Sequence, residues 1–140
     1  MNNLDSWSPK VLSVLRFVTG LMFLEHGLQK IFHFPPQPPA PGAAAAAAGA
    51  AHGLPPMIMA AGWIEIVCGI LIALGLFTRA AAFIASGEMA VAYFMAHASR
   101  NPFPVNNQGD AAILYCFFFF LLVFTGPGPL SLDQMMKKKI

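Results

Sequence analysis

The stretch Gly62 to Gly75, GWIEIVCGILIALG, constrains the chain most, because it places a carboxylate, Glu65, inside a run otherwise fit only for lipid. Extended from Met57 to Phe77 it gives about 21 mostly apolar residues, enough at roughly 1.5 Å per residue to span a bilayer core of about 30 Å. Its Ile, Leu, Val and Phe side chains favour insertion by about 5 kcal/mol, against on the order of 3 kcal/mol for a central charge. The helix therefore inserts, and the acid must turn from lipid. Ala61, Gly62, Cys68 and Gly69, three and four positions away, are small, so another helix can approach on the acid's side.

With 57% hydrophobic and 10% charged residues and a mean hydropathy of +0.64, the chain reads as one integral membrane domain. Cys68 and Cys116 fall in apolar segments and read as small packing residues rather than a structural disulfide. The net charge of +2 comes mostly from Lys137, Lys138 and Lys139, a run suited to anionic lipid headgroups and not to nucleic acid.

The predicted fold is all-α, an up-down antiparallel four-helix membrane bundle. Its first span covers about 11–34, and Thr19, Met22, Glu25, His26, Gln29, Lys30 and His33 form a polar seam along it. A cleaved signal peptide is the rival reading, but Glu25, His26 and Lys30 interrupt its apolar core. Residues 35–56 form a Pro/Ala-rich connection, in which Ala43 to Ala51 suit either a short helix or a surface loop, with His52 in the loop. The second span, about 57–77, reverses at Gly75 to Arg79 into the third, about 80–98, which carries Glu88, Tyr93 and His97. The fourth, about 110–125, opens with Asp110, either an acid complementing the helix N-terminus or a ligand-binding group, and stops at Gly126-Pro127-Gly128-Pro129.

Four spans put both termini on one side, where Lys10, Arg79 and the three terminal lysines outnumber Lys30 and Arg100 on the other. That asymmetry predicts cytoplasmic termini. Glu25, Glu65 and Glu88 then lie at one depth, roughly 13 to 15 Å from the outer surface. Three such acids cannot all be charged without cations, and His26 and Lys30 are the candidates to compensate them; Arg16 lies too deep. Inter-helix hydrogen bonding alone is the competing role. His33, His97, Asp110 and Lys30 gather nearer the outer mouth, without a haem or zinc spacing, so no metal is assigned. An acid- and aromatic-lined cavity open to lipid suits an amphipathic ring such as a quinone.

The chain resembles the DoxX family of small four-helix bacterial membrane proteins over nearly its whole length. The matching pieces are Arg16 with Gly20, His26-Gly27-Leu28-Gln29-Lys30, Glu65 with Gly69, Gly75-Leu76-Phe77-Thr78-Arg79, Tyr93 with His97, Gly109-Asp110, and Gly126-Pro127-Gly128 with Ser131 and Asp133. Asp110 stands where the family pattern more often shows Glu. The family name derives from a small subunit linked to terminal quinol oxidase and thiosulfate:quinone oxidoreductase, and some relatives associate with redox-stress complexes. The resemblance implies a bacterial inner-membrane subunit that binds a quinone-like or thiol-linked redox partner. A non-enzymatic scaffold for soluble redox enzymes and a small transporter or proton path are the alternatives, and a homo-oligomer stays open.

Overall fold

The computed structural model describes residues 4–36 and 54–138, and within them the chain is helical, with no strand. The expectations for Ala43 to Ala51, His52 and Lys139 lie outside the described residues. Helix α1 spans Ser8–Phe32, with Pro9 in its first turn, where a missing N–H costs nothing, and ends on His33 in the left-handed region. Helix α2 spans Pro56–Leu74 and ends on Gly75, whose φ of 69° a side chain resists. Helix α3 spans Thr78–Ala92 and continues as a wider π-helical segment, Tyr93–Ala98. A short helix α4, Pro104–Asn107, precedes α5, Asp110–Thr125, and α6, Leu132–Lys137, closes the described chain. Among the described residues, α1 and α2 are long and apolar enough to cross a membrane, and α5 is a shorter apolar helix.

Helices α1 and α2 pack through reciprocal glycines: Gly20 and Gly27 on one, Gly62 and Gly69 on the other. A Cβ on Gly20 would lie 2.6 Å from the Ala73 nitrogen, and one on Gly69 2.7 Å from the Leu24 nitrogen. Backbones at that separation gain dispersion contact where apolar burial offers no driving force between helices. Helix α3 presents Ala81, Ala82 and Ala85 toward Phe119 and Leu122 of α5, and the Ser86 hydroxyl donates to the Cys116 carbonyl at 2.9 Å. Phe23 of α1 links the two pairs, its ring 4.8 Å from that of Phe119 and 5.7 Å from that of Tyr115. Both cysteines are free thiols.

The end of the molecule that carries the 75–77 turn is sealed by polar groups whose purpose the sequence does not announce. Arg16, 2% exposed, donates through Nε to the Pro127 carbonyl at 2.9 Å, through one terminal nitrogen to those of Ile72 and Ala73, and through the other to that of Leu130 at 2.7 Å. It thus neutralises the carbonyl end of α2 and ties the C-terminal segment to it. Asp133 reaches from α6 to accept from the Phe77 and Thr78 amides at 2.9 and 3.0 Å, capping α3. Arg79 donates to the Val123 and Phe124 carbonyls at the end of α5. Three helix termini are therefore satisfied by side chains distant in sequence.

Arg16→Met should orphan those carbonyls and lower the stability of the purified protein by roughly 3 kcal/mol, several interhelical bonds being lost together. Unfolding by titrated SDS, followed by circular dichroism, measures this. An unchanged midpoint would show that the C-terminal segment docks without Arg16.

Candidate functional site

The glycine contact that joins α1 to α2 also brings the polar seam of α1 onto the acid of α2. Lys30 Nζ lies 2.5 Å from Glu65 Oε1 in an ion pair, the lysine side chain 33% exposed and the glutamate 2%. The second oxygen, Glu65 Oε2, is buried and has no hydrogen-bond partner among the described residues. A half-used carboxylate in so apolar a place is costly unless something else meets its free oxygen.

Glu65 borders a cavity of about 920 Å³. Its walls come from 57–65 of α2 and 83–97 of α3, the ends of both helices remote from the turn that joins them, with Ala112, Cys116, Phe117 and Phe120 of α5 behind. His26 and Lys30 close it from α1. Glu88 lies on the same wall, and its Oε2 is also buried without a partner. Most of the lining is apolar, with Met57, Met95 and Phe83 among the residues. Met57, Phe83, Ile84, Val91, Met95 and Phe117 of the lining are exposed, so the cavity is open to the surroundings along an apolar rim. Gly87 keeps the space clear: a Cβ there would meet nothing within 4 Å.

The segment Tyr93–Ala98 shapes one rim. His97 lines the cavity, and its Nδ1 lies 2.9 Å from the Asn107 carbonyl. A carbonyl only accepts, so Nδ1 carries the proton and the Nε2 of a neutral ring is an acceptor. Tyr93 stacks on His97 with centroids 6.4 Å apart. Asn107, 2% exposed, accepts from the Gly109 amide at 2.7 Å and donates to the Asn101 carbonyl at 2.8 Å, which holds the 99–109 connection against this rim.

Of the residues singled out in the sequence, Glu65, Glu88, His26, Lys30 and His97 meet around one cavity. Glu25 does not: one position before His26, it is turned about 100° away and is exposed. Of the three acids expected at one depth, Glu65 and Glu88 line the cavity and Glu25 does not. Tyr93 supports His97 from outside the lining, and Asp110 is an exposed first-turn acid of α5. His33 terminates α1. Among the described residues no group of three or more His, Cys, Asp or Glu is placed to hold a metal ion. Gly87, which the sequence offers with Ser86 and Ala92 as a small residue for close helix contact, instead faces open space, and Arg16, expected simply to lie too deep, serves the opposite end.

The model of the family described as DoxX matches residues 11–98, which include the Lys30–Glu65 pair, Glu88 and His97. The chain belongs to the DoxX family. This DoxX protein is 44% identical over 142 residues to an uncharacterized protein of Haemophilus influenzae, a match covering 99% of this chain and 100% of the relative. It is 31% identical over 159 residues to an uncharacterized membrane protein of Mycobacterium tuberculosis, covering 97% of this chain and 87% of that protein. No solved structure matches. It is thus a DoxX-family membrane protein with lipid as its surroundings.

Lys30→Met leaves Glu65 buried and uncompensated, and is expected to cost about 3 kcal/mol, whereas adding Glu65→Gln should recover most of that loss by removing the charge. SDS unfolding of the two single variants and the double variant checks the sign. Equal loss in Lys30→Met and the double variant would show that the pair is not coupled.

Proposed function

We propose that this DoxX protein is a multi-pass protein of the bacterial inner membrane that takes a lipid-soluble molecule with a polar head into the cavity between α2 and α3. The finer reading is a redox-associated subunit whose occupant is a quinone-type ring. The observation that carries the proposal is the cavity itself: about 920 Å³, mostly apolar, and bordered by Glu65, whose Oε2 has no partner among the described residues. An apolar chain would occupy the side open to lipid, and a polar head would meet Glu65, Glu88 and Lys30.

In the proposed topology four antiparallel spans cross the bilayer, α3 with its π-helical extension being the third; its 15 and 6 residues reach about 30 Å. The excess of Lys and Arg places the termini and the 75–77 turn in the cytoplasm, and so the cavity in the outer leaflet. A reporter fused after Ile140 should be active in the cytoplasm, and one inserted near Ala46 should report the outer side. The reverse pattern would move the cavity to the inner leaflet.

Ligand is tested by extracting the protein purified in mild detergent and identifying retained lipophiles by mass spectrometry, with redox-difference absorbance for a quinone. One species should be retained near one per chain in the wild type. Gly87→Phe should cut it to about a tenth or less while leaving the unfolding midpoint unchanged or slightly raised, because the ring fills open space and glycine disfavours helix. Equal retention by wild type and Gly87→Phe would refute the site. A retained lipophile without quinone redox bands would keep the site and remove the quinone. A non-enzymatic scaffold requires no occupant at all.

A further inference from the structure

The polar residues of the cavity wall are Glu65, Glu88, His26, Lys30, Ser86 and His97, and the acids outnumber the lysine. Glu65 and Glu88 against Lys30 leave one negative charge in excess when both acids are ionised and His26 and His97 are neutral. The Lys30 ammonium is paired with Glu65 Oε1, so its charge is matched by one of the two acids. The acceptors that remain are Glu65, on a side chain 98% buried, and Glu88, each with an Oε2 that has no partner among the described residues, and the Nε2 of a His97 ring whose Nδ1 is committed to Asn107. None of these donates a hydrogen bond when the acids are ionised. Phe83, Phe117 and Phe120 are also in the lining, and aromatic rings can attract a cation through their faces.

We infer that the cavity selects lipophilic cations: amphiphiles whose head is a protonated amine seated between Glu65 and Glu88, with the hydrocarbon part lying along the apolar wall toward lipid. An ammonium supplies three donors and the one positive charge that the site lacks. A fatty acid would bring a second excess negative charge, and a neutral alcohol would satisfy one oxygen but leave the charge uncompensated. This rests on the cavity being a ligand site, as proposed above, but not on the occupant being a quinone.

The test uses the full chain in phosphatidylcholine nanodiscs at neutral pH, with empty discs subtracted, and three radiolabelled probes of one chain length: hexadecylamine, hexadecanol and hexadecanoic acid. The amine should bind the wild type about tenfold more tightly than the alcohol, and the acid most weakly, as expected for one ion pair in a low-dielectric site. Glu88→Gln should bring the amine's affinity down to about that of the alcohol in the same variant, while an SDS unfolding midpoint close to the wild type's shows that the variant is folded. Gly87→Phe should lose all three. Amine and alcohol binding equally to the wild type, or an amine preference that survives Glu88→Gln, overturns the inference while leaving the ligand site standing. Failure of every probe to bind above empty discs overturns both.

Discussion

The Lys30–Glu65 ion pair is the contact on which the rest of the arrangement depends. A carboxylate in mid-span has to be met by a cation, and the cation can reach it only because Gly20, Gly27, Gly62 and Gly69 let α1 and α2 touch backbone to backbone. Register and spacing of the two helices follow from the same contact. The pair is also incomplete, since one lysine engages one oxygen and the other has no partner among the described residues, on a residue that borders a cavity.

The two ends of the molecule are built on opposite principles. At the turn end Arg16, Arg79 and Asp133 satisfy helix termini with side chains from elsewhere in the sequence, so backbone groups there need neither water nor ligand. At the other end α2 and α3 are separated by the cavity, buried acceptors are left unmet, and the helix loosens into a π-helical segment, a feature often found at functional sites. That contrast fits the proposed lateral binding site, in which the base would hold the helices in place while the mouth exchanged its occupant with lipid.

Helix positions were legible because unbroken apolar runs bounded by proline and glycine leave few options, and the span expected at about 110–125 coincides with Asp110–Thr125. Glu65 was legible because a lone charge in such a run costs energy and so demands a reason. Rotation was not legible. Depth put Glu25 beside Glu65 and Glu88, but depth is set by position along the axis, and a single residue step turns a side chain by about 100°. Arg16 and Asp133 were visible only as parts of a family pattern, since their partners are backbone carbonyls and amides over fifty residues away. A cavity has no sequence signal at all, apart from the small residue that leaves it open.

The native thiols give the most direct test of a cavity entered from the bilayer, because Cys116 lines it whereas Cys68 is 4% exposed in the core. Wild-type protein in lipid nanodiscs would be treated with a bilayer-soluble maleimide and, separately, with a membrane-impermeant one, and modification at each cysteine read by peptide mass spectrometry. The account predicts modification of Cys116 by the lipid-soluble reagent, little at Cys68, little at either by the impermeant reagent, and protection of Cys116 by Gly87→Phe. Equal modification of Cys116 with and without that substitution, or an inert Cys116 in both, would contradict it.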